Sequence, residues 1–160
     1  MKKRADTLLF EKGLARSRNA GATLIKLGNV LVSGVPVTKP SALIDTDADI
    51  VITSKLPYVG RGGTKLEFAL DYFKIDVTEK IVADVGSSTG GFTDCLLQRG
   101  AKKVYAIDVG TDQLALELRS NPRVITMEKT DIRKTTLPEP VDLATIDLSF
   151  ISLSLALPSV

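Results

Sequence analysis

Apolar positions recur along this chain at two spacings, and the change between them divides it. Early on, the spacing is helical and then short and strand-like. Asp6 is placed to cap a helix over Thr7–Lys12, which Gly13 ends by taking the left-handed position after it. Ser17 is placed to cap a second helix running to Leu27, with Ala20, Leu24 and Leu27 on one face and Gly28 as its stop. Gly21 inside that helix costs about 1 kcal/mol relative to alanine, which predicts a close helix contact. Val30–Val32, a Ser33-Gly34 turn and Val35–Val37 read as a hairpin, and Asp49–Thr53 as a further strand. The result is a small α+β unit, marginal on its own at about 50 residues.

Ser54–Val59 leads into Gly60-Arg61-Gly62-Gly63, where three glycines in four positions mark a boundary. The pattern thus predicts a first domain over 1–54, a linker over 55–63 and a second domain over 64–160. Thr64-Lys65-Leu66-Glu67 has the form of a capping box, opening a helix whose apolar face is Leu66, Leu70 and Phe73. After residue 80, apolar strands alternate with helices. The strands are Ile81–Val85, Val104–Val109, Val124–Met127 and Leu143–Leu148, with helices near Gly91–Gln98 and Thr111–Arg119. Strands this apolar are buried on both faces, so the fold class is α/β, a partial Rossmann-like parallel sheet with flanking helices.

Composition changes the picture little, and charge changes it more. The 160 residues are 44% hydrophobic and 25% charged, the mix of a core-forming chain. No apolar run is long enough to span a membrane, and the basic start runs into Ala5-Asp6 rather than an apolar stretch, so a cytoplasmic location without membrane contact is expected. One cysteine and no histidine exclude an internal disulfide, Ser-His-Asp or Cys-His catalysis and most zinc chemistry within this chain, and no metal site is expected. Residues 1–40 hold eight basic side chains against Asp6 and Glu11, a net +6, leaving −4 for the remainder of a chain that totals +2. A basic head on a mildly acidic body suits contact with an anionic partner, or simply a solvated basic face.

The candidate chemistry lies at strand ends, where ligands bind in such sheets. Asp84-Val85-Gly86-Ser87-Ser88-Thr89-Gly90-Gly91 offers backbone that passes close under a ligand and a helix N-terminus beyond it. Asp108, 22 residues after Gly86, suits the vicinal hydroxyls of an adenosine ribose. Asp131 follows the third strand, placed to accept from an adenine amino group, and Asp147 closes the fourth. Asp108 and Asp131 also suit helix N-caps, and a glycine-rich turn can be no more than a turn. Gly86-Ser87-Ser88-Thr89-Gly90 matches the nucleophile elbow of hydrolases, which the absence of histidine rejects. It also approximates the dinucleotide fingerprint, but with Ser88 where the second glycine belongs. S-adenosylmethionine has no pyrophosphate and tolerates that serine more easily, and its charged amino group would use an acceptor such as Asp84.

Three segments carry a resemblance: Tyr58–Leu66 (YVGRGGTKL), Asp84–Tyr105 (DVGSSTGGFTDCLLQRGAKKVY) and Val141–Leu153 (VDLATIDLSFISL). They resemble the TlyA/haemolysin A family, which is similar to FtsJ-type RNA ribose methyltransferases. Arg4-Ala5-Asp6, Gly13-Leu14, Ser17-Arg18 and Gly28–Gly34 resemble the RNA-binding domain named after ribosomal protein S-four. The resemblance implies 2′-O-methylation of ribose, typically cytidine in ribosomal RNA, with S-adenosylmethionine as donor and ribosomal RNA or subunits as partner. It also implies a donor pocket from Asp84, Gly86, Ser87, Ser88, Gly90, Gly91, Asp108, Val109, Asp131 and Ile132. In the family's Lys-Asp-Lys-Glu set, Lys65 matches the first lysine and Asp147 the aspartate.

The second lysine, the family's base, and the glutamate have no counterpart before Val160, so the chain as given is expected to lack turnover and to expose an apolar edge at its last strand. Gly60 stands where serine is usual, Asp131 where asparagine is common and Thr23 where a basic residue is frequent. For RNA, Arg4, Arg16, Arg18 and Lys26 are the expected phosphate contacts, with Lys2 and Lys3 assisting and Arg61 reaching RNA between the domains. Phe10 reads as core, so the first domain offers no aromatic platform. The competing readings are a non-catalytic RNA-binding protein with a vestigial donor pocket, a haemolysin and an NAD oxidoreductase.

Overall fold

The computed structural model describes residues 1–149 and 151–160, so Phe150 of the third resembling segment lies outside the described residues. The chain forms two compact units, Met1–Pro57 and Tyr58–Val160.

In the first unit, β1 (Lys2–Arg4) precedes α1 (Ala5–Glu11) and α2 (Arg18–Lys26). Four short strands follow: β2 (Val30–Val32), β3 (Val35–Pro36), β4 (Leu43–Asp45) and β5 (Ile50–Ile52). The antiparallel order β3-β2-β5 contains the expected hairpin and later strand. The β1–β4 pair was not predicted, because Lys2–Arg4 has no apolar alternation and β4 buries only Ile44. The Ser17 hydroxyl caps α2, accepting from the Ala20 amide at 3.0 Å. Gly21 is where the two helices meet: a Cβ there would lie 3.0 Å from the Asp6 carbonyl oxygen and 3.3 Å from Leu9 Cβ.

Three expectations for this unit fail. Asp6 does not cap α1, which begins one residue earlier; its buried carboxylate instead takes the Arg4 guanidinium at 2.6 and 3.0 Å. Phe10 is half exposed rather than core, because α1 buries Ala5, Asp6, Leu8 and Leu9 and turns Phe10 away. Leu27 is 61% exposed: α2 buries Ala20, Gly21, Leu24 and Ile25, a face centred about a sixth of a turn from the one predicted.

The second unit contains α3 (Gly62–Phe73), β6 (Ile81–Val85), α4 (Gly91–Gln98), β7 (Lys103–Ile107), α5 (Leu116–Arg119), β8 (Val124–Met127), β9 (Leu143–Ile146) and α6 (Leu153–Ala156). Its four strands form a fully parallel sheet in the order β8-β7-β6-β9. Both faces are covered, as the unbroken apolar strands require. Val82, Val104 and Ala106 pack with Leu66 and Leu70 of α3 and Phe92 and Leu96 of α4 on one side. Ala83, Val85, Tyr105 and Ile107 pack with Ile132 and Ala156 on the other.

Here too the boundaries move. Tyr58, read from sequence as connector, is buried in the core of this unit, its hydroxyl donating to Glu67 at 3.0 Å. Helix α3 starts at Gly62, and no side chain caps it, so the Thr64–Glu67 capping box is not formed. Phe73 is exposed at its last turn, beside a left-handed Lys74. Residues 111–115 stay out of α5 because Glu128 takes the amides of Asp112 and Gln113, holding them in a turn. Among the described residues, no helix is long and apolar enough to cross a membrane.

Candidate functional site

Strand register sorts the carboxylates. Asp84 is paired with Ala106 of β7 on one side and Thr145 of β9 on the other. Paired residues of parallel strands face the same side of a sheet, and the period of two brings Asp108 and Asp147 to that side just past their strand ends. Both still extend the ladder: the Asp108 amide donates to Met127 O and the Asp147 amide to Val85 O, each at 3.0 Å. Asp84 is therefore inside the sheet, and the other two stand at its carboxyl rim.

The consequences differ sharply. Asp84 is fully buried and accepts from the Thr93 hydroxyl at 2.6 Å and the Thr145 hydroxyl at 3.1 Å. Burial pushes its carboxyl up to about 6, against the two threonine hydrogen bonds, which favour the charged form. The structure thus puts the Asp84 side chain under α4, away from the cavity into which the sequence reading aimed it. Asp108 is partly exposed and accepts from backbone on both oxygens, from the Ser88 amide at 2.8 Å and the Gly110 amide at 2.7 Å.

The loop between β6 and α4 is shaped by close approach. Gly86 has φ +86°, and a Cβ on it would lie 2.5 Å from the Asp147 carbonyl oxygen. Gly90, at φ +96°, leaves room for Leu118 and Leu114, and a Cβ on Gly91 would lie 2.9 Å from the Gly63 amide nitrogen. These two glycines serve packing of the loop and lie outside the cavity lining, as does Ser87, which is buried and hydrogen-bonds to Ile107 O.

The cavity at the strand ends has a volume of about 670 Å³, within the range for small-molecule and cofactor sites. Of the residues expected there, Gly86, Ser88, Asp108, Val109, Asp131, Ile132 and Asp147 line it. Gly110, Gln113, Thr130 and Arg133 line it too and escaped the sequence reading. Arg133 had a signal, standing two residues beyond Asp131. Its guanidinium meets that carboxylate at 2.6 Å and, with its amide, holds the acid at about 2. Asp131 thus already has a cationic partner.

Lys65 and Asp147, 82 positions apart, meet at the cavity mouth: Nζ donates to Oδ1 at 2.8 Å. The same ammonium sits 5.6 Å from the centroid of the Phe92 ring. Helix α3 brings the lysine and the extension of β9 brings the acid. In the basic head, Lys2, Arg16, Arg18 and Lys26 are exposed, as is Arg61 in the second unit. Arg4 is engaged by Asp6, and Lys3 pairs with Glu11 at 2.7 Å. Those two expected phosphate contacts already have carboxylate partners.

A four-stranded parallel sheet flanked by helices makes this an α/β fold, and its cavity lies at the carboxyl rim, where sheets of this kind place their ligands. Residues 58–160 match the FtsJ-like methyltransferase model, and residues 3–50 match the S4 domain. The chain belongs to the FtsJ-like methyltransferase family. It is 49% identical over 162 residues to the 16S/23S rRNA (cytidine-2′-O)-methyltransferase TlyA of Mycobacterium tuberculosis, covering 98% of this chain and 60% of that protein. Hemolysin A of Brachyspira hyodysenteriae is 42% identical over 159 residues, covering 97% of this chain and 66% of its own length. A solved structure from Streptococcus thermophilus, whose description carries the hemolysin name, superposes with a TM-score of 0.68 at 42% identity, covering 99% of this chain and 60% of its own. The chain spans about three-fifths of the length of the curated relatives it matches.

Proposed function

We propose that this chain carries the donor pocket and part of the catalytic set of an S-adenosylmethionine-dependent RNA ribose 2′-O-methyltransferase, acting in the cytoplasm on cytidine in ribosomal RNA. The observation that carries the reading is the 2.8 Å contact between Lys65 and Asp147 at the mouth of the cavity. Nothing local in sequence brings those two residues together, and the resemblance independently assigns both to catalysis.

The cavity suits the donor on its own chemistry. Asp108 is held by two backbone amides and keeps lone pairs for the vicinal hydroxyls of a ribose. Val109 and Ile132 offer apolar contact to the adenine, and Thr130 and Asp131 lie beside them. When bound, S-adenosylmethionine supplies a methyl group made electrophilic by its sulfonium.

A ribose hydroxyl is a weak nucleophile, so it must be aimed in line and give up its proton, which the resemblance assigns to a second lysine with no counterpart in residues 1–160. Lys65 positions and tunes that base, and Asp147 orients it. The ammonium, steadied by Asp147 and by the face of Phe92, stabilises negative charge growing on the oxygen. The exposed cations of the first unit, Lys2, Arg16, Arg18 and Lys26, add salt-dependent affinity for RNA phosphates.

Calorimetric titration of the chain with S-adenosylmethionine, with NAD as control, tests the reading. Saturable binding of the methyl donor alone is expected. Saturable binding of NAD with no response to S-adenosylmethionine would replace the methyltransferase with an oxidoreductase.

A further inference from the structure

Helix α3 presents two opposite faces. Gly63, Leu66 and Leu70 are buried. Arg61, Lys65, Phe68 and Tyr72, spaced four, three and four apart, fall within an arc of about 60° on the other side. Arg61 precedes the helix in helical geometry, at φ −59° and ψ −27°, so it continues the same spiral. The stripe is about 16 Å long.

Its aromatic end is unusual for a surface. Phe68 and Tyr72 are 69% and 68% exposed. Their rings stack on one another with centroids 5.9 Å apart, and Phe73 packs edge-on against Tyr72 at 5.0 Å. Its other end carries two exposed cations, Arg61 and Lys65, of which Lys65 is already paired with Asp147 at 2.8 Å. The helix's two carboxylates, Glu67 and Asp71, lie on the flank and are taken by Arg99 at 3.4 and 2.7 Å. Lys65 joins the stripe to the cavity mouth through Asp147. Aromatic rings in line with cations are the combination that holds single-stranded nucleic acid, bases stacking on the rings while phosphates meet the charges.

We propose that Arg61, Lys65, Phe68 and Tyr72 form a stacking track for a single-stranded segment of the RNA substrate, leading it to the cavity mouth. The inference rests on the methyltransferase reading, and it adds a stacked pair of rings to the one half-exposed ring, Phe10, of the basic head. Stacking on the rings tolerates many bases, so the track positions the strand and leaves the choice of nucleotide to other contacts.

The chain contains no tryptophan, so Tyr72→Trp installs a single reporter on the track while keeping a ring there. Titrated with a short cytidine-rich single-stranded RNA, this variant is expected to bind like the parent chain and to lose tryptophan fluorescence as bases stack. By anisotropy with the same labelled RNA, Phe68→Ala/Tyr72→Ala is expected to bind about tenfold more weakly with an unchanged salt slope. Arg61→Gln is expected to reduce the slope by about one. Unchanged affinity of the double variant, with no quenching of Tyr72→Trp, overturns the track. So does unchanged RNA affinity accompanied by loss of self-association in sedimentation, which makes the face a contact between copies. Donor titration in parallel separates the two ideas: failure of the track leaves donor binding intact, whereas failure of the methyltransferase reading removes it.

Discussion

Strands β6 and β7 lie side by side and each ends near an aspartate, yet the two acids do opposite things. Asp84 stops one register position short of the rim and is sealed under α4 by two threonine hydroxyls. Asp108 passes the rim by one residue and faces a cavity. Two residues of register separate a buried, threonine-bonded acid from a cavity-lining one on the same side of the same sheet. The lesson is that the residue type marks a strand end, while its distance past the end determines what the acid can touch.

The largest effect is expected where the two strand ends lean on each other. Gly86→Ala adds a Cβ against the Asp147 carbonyl at a left-handed φ, and is expected to cost about 3 kcal/mol in denaturant unfolding. It also disturbs the rim, so donor affinity is expected to fall with it.

Asp84→Asn sharpens the contrast from the buried side. The native carboxyl, raised to about 6, holds a proton that the unfolded chain releases from about pH 4 upward. Stability from this group is therefore complete below about pH 4 and is lost as pH rises through about 6. The amide keeps the shape without the charge, and Thr93 and Thr145 can accept from it as well as donate. It is expected to raise stability at pH 7 by about 2 kcal/mol and to flatten the melting profile between pH 4 and 6. A variant less stable at pH 7 than the parent would show that the charged carboxylate is needed.

From the exposed side, Asp108→Asn is expected to weaken S-adenosylmethionine about tenfold and, because its NH2 group replaces one of the two oxygens that accept from the Ser88 and Gly110 amides, to cost about 1 kcal/mol of stability in thermal melts. The smallest effect is expected for Lys65→Met. Its ion pair is well exposed, so less than about 1 kcal/mol of stability should go.

The sequence made much of this layout legible. Four apolar runs marked the parallel strands, and the acids and glycines marked their ends. Pairing of Lys65 with Asp147 had no local signal, because helix packing brings them together across 82 positions; the family resemblance placed both in one catalytic set without pairing them. Burial of Asp84 was illegible for the same reason, since Thr145 reaches it only through strand pairing. The β1–β4 pair was missed because three basic residues carry no alternation. The buried face of α3 was legible in Leu66 and Leu70, but Phe73, at the same spacing, falls in the last turn and is exposed, and the spacing gave no sign of the exposed Phe68–Tyr72 pair.

The most direct test sets Asp84→Asn and Asp108→Asn against the parent chain in one series of S-adenosylmethionine titrations by calorimetry at neutral pH. Parent-like affinity for Asp84→Asn and about tenfold weaker binding for Asp108→Asn is the expected result. The reverse pattern, with Asp84→Asn weakened and Asp108→Asn unaffected, would contradict the division of labour between the two strand ends.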